Sequence, residues 1–563
     1  MKNFIIILTL IFFAGTTACK KYLVEDGSKQ LTSDALKDPI GFDNALTGVY
    51  SQLRNYYGHN ATYTLTESGI DAFTNSSVTT EPNFFIYSKS GLNPQHAMIQ
   101  TQWNNAYIAV NRANAVIELG ATVQGLSTGV VRIKVAEARF LRALFYFNLV
   151  RTWGDVPLHL SSTTSLVTDG TRTPRKDVYK AIINDLDSAV LYLPYTQTDY
   201  GRVTRFAAFH LLAKVYLTKG WLTDTAEPQD FNKAVQFADS VILKKPALSN
   251  ATLSFKTIWD ENSSNATVSP EILLTVQYVS AQNNQIYNVA EGTADPNLNT
   301  IVQGNEQHLF FLWKYDTYDK PVLIRDIFNG RPFGYFRITN NALALFDQVH
   351  DSRYKYTFES VYYCNKAGKN KKGNTVAIGD TAIWFPGKEL TPAQVAAKRY
   401  DVILPSMYTS INYPSVIKFR DSKRQVLSNV IGKRDIFLFR LAETYLISAE
   451  AYFKLNDNVN AAAKLNAVRT RAAYPGSENE MVITPANVTI DFILDERIRE
   501  LCAEGERWYD LTRTHSLVRR CNSFNPNILA AGFIKDEYEL RPIPQSEIDL
   551  SYGTSIQNPG YDD

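Results

Sequence analysis

The stretch that decides the fold is "RLAETYLISAEAYFKL", residues 440–455. Within it Leu441, Tyr445 and Ala449 recur every four residues, which places their side chains on one face of a helix. The letters "NDN" interrupt this pattern, and "VNAAAKLNAVRTRA" resumes it. Residues 441–471 are therefore predicted to form a helical hairpin, with small side chains where the two helices cross.

The same pattern recurs three times upstream. The predicted pairs are residues 40–54 with 102–120, residues 136–158 with 178–194, and residues 205–221 with 231–243. A single hairpin of this kind cannot bury its own apolar face, so neighbouring hairpins must stack. The sequence thus predicts a mostly α-helical protein built on four hairpins that resemble degenerate tetratricopeptide units.

A different composition separates the third hairpin from the fourth. Residues 250–430 are rich in Asn, Gly, Ser and aromatic residues and carry short strand-like runs such as "EILLTVQYV". Loops and small sheets held on a rigid scaffold are common places for binding sites. We therefore expect one domain over residues 41–563, with the hairpin scaffold in 41–245 and 435–515. The insert at 250–430 is the expected binding region, and residues 516–563 form a C-terminal segment.

The N-terminus begins with a short apolar run. Residues 4–15 would rise only about 18 Å as a helix, against roughly 30 Å for the hydrocarbon core of a bilayer. With Lys2 before the run and small residues after it, residues 1–18 are predicted to be a secretory signal peptide.

The signal peptide ends at a single cysteine in "FFAGTTACKK", residues 12–21. A cysteine at this position resembles the lipobox of bacterial lipoproteins, so Cys19 is the predicted lipidation site and residues 19–40 the tether. Several acyl chains on one residue give stable membrane attachment. Ordinary cleavage near Ala18, which would leave a soluble secreted protein, is the alternative.

Composition excludes several classes of function. The 563 residues carry a formal net charge of +2, which gives no electrostatic footprint for nucleic acid. Beyond Cys19 the chain has only Cys364, Cys502 and Cys521, too few and too scattered for a disulfide framework or a zinc site. The sequence leaves two alternatives for Cys502 and Cys521, namely a disulfide bridge between them and two free thiols. Aromatic residues make up 12% of the chain, and tyrosine in excess is typical of surfaces that contact ligands or partners.

No catalytic motif is evident. The sequence contains no H-E-x-x-H and no C-x-x-C, and it predicts no metal or cofactor site. Its one G-x-S-x-G match, "GLSTG" at residues 125–129, follows a predicted helix and not the strand that a nucleophile elbow requires. The densest charge cluster, "ILDERIRELCAEGERWYDLTR" at residues 493–513, is predicted to be one helix. Opposite charges lie three or four positions apart in it, as in Asp495 with Arg499 and Arg497 with Glu500. We interpret this cluster as a structural ion-pair lattice and not as paired catalytic carboxylates.

Five segments together resemble the SusD/RagB family, the surface nutrient-binding lipoproteins of Bacteroidetes. The matching segments are the "CKKYL" start, "AEARFLRALFYFNLVRTWGDVPL", "RLAETYLISAEAYFKL", "ILDERIRELCAEGERWYDLTR" and the tail "ELRPIPQSEIDLSYGTSIQNPGYDD". They occur in the family's order and bracket nearly the whole chain.

This resemblance implies a SusD-like fold, a lipid anchor in the outer membrane and an outward-facing position. It also implies a partner, a SusC-like TonB-dependent transporter, to which the protein would deliver oligosaccharide or polysaccharide. Members of the family are usually not enzymes. Two alternatives stay open, namely peptide binding on the same scaffold, as in the RagB branch, and a lipid-anchored hydrolase.

A glycan receptor needs aromatic platforms for sugar ring faces and planar polar groups at their edges. Residues 71–93 and 310–341 supply this mixture. For each ring, burial in the core is the alternative to ligand binding. The predicted stacking residues are Tyr87, Trp313, Tyr315, Tyr318 and Tyr335, and the predicted polar contacts are Asn83, Asp316 and Arg331.

Overall fold

A computed structural model describes most of the chain after the tether. The described residues are 36–163, 165, 168–249, 253–261, 269–278, 305–319, 321–424, 427, 430, 432, 434–551 and 555–561. The predicted signal peptide and Cys19 lie outside these ranges. Within them no helix combines the length and hydropathy that crossing a bilayer would require.

Eight long helices of the described chain form the scaffold. They are α1 Pro39–Tyr56, α2 Ala97–Leu119, α3 Thr128–Trp153, α4 Arg175–Tyr192, α5 Arg205–Trp221, α6 Asp230–Ile242, α7 Leu441–Lys454 and α8 Asn458–Ala472. Each helix packs against the one before it in this order, so the four hairpins form a continuous stack. The predicted mostly α-helical fold with four hairpins is confirmed.

The stack continues across the insert. Helix α6 packs directly on α7, although residues 243–440 separate them in the chain. Together with α5 they form a small separate core in which alanines predominate: Ala213, Leu217, Ala234, Ala238, Ile447 and Ala451. Because most of these side chains are short, the helix backbones can approach closely.

Polar caps set several of the helix ends. The Ser127 and Thr204 side chains accept hydrogen bonds from the first turns of α3 and α5, and Asp457 caps α8 through the Asn460 amide at 3.0 Å. Helix α3 ends at Gly154, whose φ of 76° is readily adopted only by glycine. These residues mark where α3, α5 and α8 begin and where α3 ends.

The charged segment 493–513 is predicted to be one helix, but the structure shows two helices. Helix α9, Ile490–Leu501, ends before Cys502, and a short helix begins at Arg507. Ala503 and Gly505 between them have φ values of 64° and 83°, in the left-handed region that ends a helix.

The ion-pair lattice exists, but its partners come from distant parts of the chain. Glu500 binds Arg353, Arg440 and Arg471 at 2.5 to 3.1 Å instead of Arg497. Asp495 pairs with Arg520 at 2.5 Å, not with Arg499. The lattice therefore joins α9 to the insert through Arg353, to the residue just before α7 through Arg440, and to α8 through Arg471.

Strands are short and lie mainly in the insert. They are β1 Phe73–Asn75, β2 Ile272–Val276, β3 Phe336–Ile338, β4 Val361–Tyr363, β5 Gly368–Lys369, β6 Thr375–Val376, β7 Thr381–Trp384, β8 Asp401–Val402 and β9 Ile436–Arg440. The pairs β1–β3, β2–β9, β4–β7 and β5–β6 are antiparallel, and β7–β8 is parallel. Strand β2 confirms the strand predicted in "EILLTVQYV".

Short helices complete the fold. They are Asn60–Glu67, Pro82–Phe85, Phe255–Trp259, Gln307–Phe310, Tyr315–Tyr318, Asn340–Ala344, Arg353–Thr357, Pro392–Ala396, Arg507–Arg513, Leu517–Phe524, Pro526–Ala531 and Gln545–Leu550, with 3₁₀ turns at Pro405–Met407, Pro485–Asn487 and Asp536–Glu539. Cys364, Cys502 and Cys521 are buried free thiols, so no Cys502–Cys521 bridge forms.

Candidate ligand-binding surface

The segment before β3 displays a row of side chains on the protein surface. Arg331, Phe333 and Tyr335 are half-buried, whereas the residues that alternate with them, 332, 334 and 336, are buried. The Arg331 guanidinium lies against the Phe333 ring and the Phe333 ring against the Tyr335 ring, so the three half-buried side chains lie together. We call Arg331, Phe333 and Tyr335 the aromatic row.

The rings of the aromatic row are held by contacts with each other and with the core. The Phe333 and Tyr335 centroids lie 5.3 Å apart, and Tyr335 stacks on the buried Phe310 at 5.9 Å with 18° between the planes. The Arg331 guanidinium lies 5.3 Å from the Phe333 centroid. Burial raises the pKa of Tyr335. Its hydroxyl therefore stays protonated and able to donate at neutral pH.

The backbone of the aromatic row accepts hydrogen bonds from the loop after β1 and from Tyr413. The Gly334 carbonyl accepts hydrogen bonds from Ser76 Oγ and, at 3.1 Å, from the Tyr413 hydroxyl. Thr79 Oγ1 donates to the Tyr335 carbonyl at 2.6 Å. Gly334 has a φ of 68°, and a Cβ there would lie 3.1 Å from the Leu312 carbonyl oxygen. Glycine is thus required to bring the two rings together.

A further exposed ring lies three residues before the row in sequence. Phe328 is 57% exposed, and the Arg420 guanidinium lies 4.4 Å from its centroid. Asp326 shapes this turn by accepting from the Asn329 amide at 2.6 Å. Sequence reasoning missed Phe328 and Phe333. The alternation of "RPFGYF" could have revealed Phe333, because it groups this ring with Arg331 and Tyr335.

Three predicted stacking residues are core residues, which corrects the expectation for them. Tyr87, Trp313 and Tyr315 are 1%, 1% and 0% exposed. Tyr87 stacks on Tyr538 at 5.9 Å, Trp313 Nε1 donates to the Ile411 carbonyl, and the Tyr315 hydroxyl donates to the Gly330 carbonyl at 2.5 Å. A ring enclosed in this way offers no face to a ligand.

The other predicted residues have different surroundings. Asp316 is paired with Arg325 at 2.5 Å, so its carboxylate is already engaged. Asn83 is exposed in the short helix Pro82–Phe85. Tyr318 is half-buried beneath the Lys371 ammonium at 3.9 Å, and burial raises its pKa to about 12. The structure brings together only Arg331 and Tyr335 of the predicted set in the aromatic row.

The scaffold contains a groove of about 470 Å³ between α2, the loop after α3 and the helix Gln545–Leu550. Its polar groups are largely bound to each other: Trp103 Nε1 donates to Glu547 at 3.2 Å, and Asn111 exchanges hydrogen bonds with the Thr163 backbone. The Trp103 ring is buried. The half-buried Tyr107 also lines the groove, and its hydroxyl donates to the Pro157 carbonyl at 2.8 Å.

Comparison with known proteins defines the class. Residues 324–561 match the SusD family, and residues 21–217 match a family described as starch-binding and associating with the outer membrane. The chain belongs to the SusD/RagB family, which confirms the resemblance of its motifs.

Individual relatives are distant but extend over most of the chain. SusD-like protein P25 of Formosa agariphila is 23% identical over 570 residues, which cover 98% of this chain and 97% of the relative. The starch-binding protein SusD of Bacteroides thetaiotaomicron is 26% identical over 446 residues, 76% of this chain and 72% of that protein. A solved laminarin-binding SusD-like protein has a TM-score of 0.68 and 23% identity, with 93% and 100% of the two chains covered. This last likeness concerns the fold.

Proposed function

We propose that this protein binds oligosaccharide or polysaccharide without altering it, on the aromatic row. The observation that carries the proposal is the fixed placement of the Phe333 and Tyr335 rings, 5.3 Å apart, with the Arg331 guanidinium beside them. Sugar rings have apolar C–H faces and polar edges, so a half-buried ring beside a hydroxyl and a guanidinium matches both parts. The names of the starch-binding and laminarin-binding relatives support this ligand class.

The affinity of such a surface is modest. Two half-buried rings cover one or two sugar units, and an exposed polar ligand gains little beyond these contacts. Because the rings are already held by Phe310 and by the backbone contacts of Gly334, the protein loses little conformational freedom on binding.

The proposal includes the cellular setting. Cys19 is lipidated and anchors the protein to the outer membrane, facing outward, and the captured glycan passes to a SusC-like TonB-dependent transporter. The lipobox-like cysteine and the family description of outer-membrane association support this part.

Calorimetric titration tests the binding. The purified protein lacking residues 1–19 is titrated with starch and laminarin oligosaccharides and, separately, with peptides of similar size. Phe333→Ala combined with Tyr335→Ala should weaken glycan binding by at least about tenfold, equal to about 1.4 kcal/mol. Tyr192→Ala, which removes a partly exposed ring at the end of α4, is the matched control and should leave binding unchanged.

Each outcome has a defined meaning. Binding of peptides but not of glycans would replace the proposal by the RagB-like alternative. New reducing ends after incubation with a glycan panel would show hydrolysis and refute the non-enzymatic part. Equal loss in the control variant would show that the aromatic row is not the site.

A further inference from the structure

Arg337, two residues beyond the aromatic row, is a buried cation without a partner. Arg337 is 9% exposed, and its Nε has no hydrogen-bond acceptor. Among the described residues its guanidinium forms neither an ion pair nor a hydrogen bond. A buried charge is normally paired, because removing it from water is costly.

The other buried arginines of the described chain show how unusual this is. Arg424 donates to the Asp421 carbonyl and Arg541 to the Leu65 carbonyl. The remaining ones all bind carboxylates: Arg142, Arg151, Arg353, Arg440, Arg471, Arg497, Arg499, Arg507, Arg513 and Arg520. Among the buried arginines of the described chain, Arg337 is thus the one that forms neither a hydrogen bond nor an ion pair, although Arg541 also has no carboxylate and leaves its Nε and Nη1 without acceptors.

The position of Arg337 links it to the row. It lies in β3 opposite Thr74 of β1, and it follows Tyr335 by two residues along the extended chain, so both side chains lie on the same side. Tyr413 is the titratable neighbour whose charge affects the pKa of Arg337. The hydroxyl of Tyr413 donates to the carbonyl of Gly334, which lies between Phe333 and Tyr335 in the chain. Burial lowers the pKa of Arg337, which shows the same uncompensated desolvation.

We propose that Arg337 binds a negatively charged substituent of the glycan, a carboxylate or a sulfate, while a sugar ring rests on Phe333 and Tyr335. This inference rests on the proposed function and narrows its ligand to acidic glycans. A guanidinium presents a planar fork of N–H donors that matches the oxygens of either group and binds them bidentately. The Arg331 guanidinium at the other end of the row adds positive charge to the same surface.

The test compares glycans of equal length that differ in charge. Neutral laminarin oligosaccharides, oligogalacturonates and sulfated galactan oligosaccharides are titrated into the wild type, Arg337→Met and Arg132→Met. Arg132 is exposed on α3 and serves as the control for the loss of one positive charge. We expect one acidic series to bind the wild type at least tenfold more tightly than the neutral series, with a preference that weakens as salt increases. Arg337→Met should abolish the preference and leave neutral binding unchanged.

The variant also reports on folding. Methionine has a similar length and no charge, so Arg337→Met should melt at or above the wild-type temperature, since it removes an unpaired buried charge. A preference for oligogalacturonate assigns the partner as a carboxylate, and a preference for the galactan assigns it as a sulfate.

The failures are distinguishable. If neutral glycans bind and neither acidic series binds better, the inference is overturned and the proposed function stands. If Arg337→Met melts normally and keeps the acidic preference, Arg337 is not the anion site. If no glycan of any charge binds, both the inference and the proposed function are refuted.

Discussion

Replacing Glu500 by glutamine tests the buried ion-pair lattice that joins α9 to the rest of the fold. Glu500 is fully buried, and its carboxylate accepts from Arg440 at 2.6 Å, from Arg471 at 2.5 Å and from Arg353 at 3.1 Å. Glutamine keeps the shape and one acceptor oxygen but removes the charge. Stability should fall because three guanidinium groups lose a shared anion.

The magnitude follows from the pKa of Glu500. Although burial alone would raise it, the three arginines lower it from 4.5 to about 2. This shift corresponds to about 3 kcal/mol at neutral pH. Breaking a buried pair outright costs roughly 3–5 kcal/mol. We expect the lower end of that range, because Arg353 keeps Asp351 and Arg440 keeps Glu504.

Urea unfolding at pH 7, followed by tryptophan fluorescence, measures the difference in unfolding free energy. Glu480→Gln, at an exposed carboxylate, is the control and should change stability by less than about 0.5 kcal/mol. A carboxyl with a lowered pKa stabilises the fold above its unfolded pKa and loses this contribution as the pH falls through the folded value. The difference between wild type and Glu500→Gln should therefore shrink from about pH 4.5 to pH 2. A loss below about 1 kcal/mol at pH 7, or a difference independent of pH, would refute the reasoning.

Three further predictions concern other parts of the molecule. Burial raises the pKa of Glu67 from 4.5 to about 8, so the contribution of this carboxyl to stability is lost as the pH rises between these values. Relative to wild type, Glu67→Gln should therefore gain about 1.4 kcal/mol of stability per pH unit in this range. Equal melting temperatures of the two proteins at pH 9 would contradict this. Gly334→Ala should destabilise the protein by about 1–2 kcal/mol in urea unfolding, because a residue with a Cβ is strained in the left-handed conformation of Gly334. The same substitution should displace the aromatic row and weaken glycan binding, and an unchanged glycan affinity would contradict this expectation. Cys19→Ala should move the full-length protein from membrane to soluble fractions on cell fractionation, and full retention in the membrane would show that the lipid is not the anchor.

The sequence predicts the scaffold well because helix packing leaves a local signal. Residues such as Leu441, Tyr445 and Ala449 repeat at the helical period, and the structure buries all three. The order of the hairpins and the strand in "EILLTVQYV" follow from the same kind of pattern. The lattice shows the limit of this reasoning: local spacing predicts charged pairs, but Glu500 finds Arg353 and Arg440 far away in the chain.

The binding surface is harder to predict, because aromatic residues serve cores and surfaces alike. Trp313 and Tyr315 are chemically as suitable for a sugar as Tyr335, yet they lie inside a cluster of rings around Tyr362. Which ring is exposed depends on tertiary contacts such as those of Gly334. Arg337 could not have been singled out either, since its lack of a partner is a property of the whole fold.

The antiparallel pair β2–β9 has a consequence for how this protein family can change. Strand β9 ends at Arg440, immediately before α7, and it pairs with β2, which lies in the insert. Ile272 lies opposite Arg440, and Val276 lies opposite Ile436. The chain between these strands therefore begins and ends at neighbouring positions, and it also contacts the scaffold through β3, which pairs with β1, and through Arg353, which binds Glu500. Since the entropy of closing a loop grows only with the logarithm of its length, surface loops of this stretch that carry none of these contacts can be lengthened or shortened at small cost to the helical stack. A recombined receptor that takes this stretch from a relative therefore needs matching partners for β3 and Arg353 in the recipient, in addition to cuts beside β2 and β9.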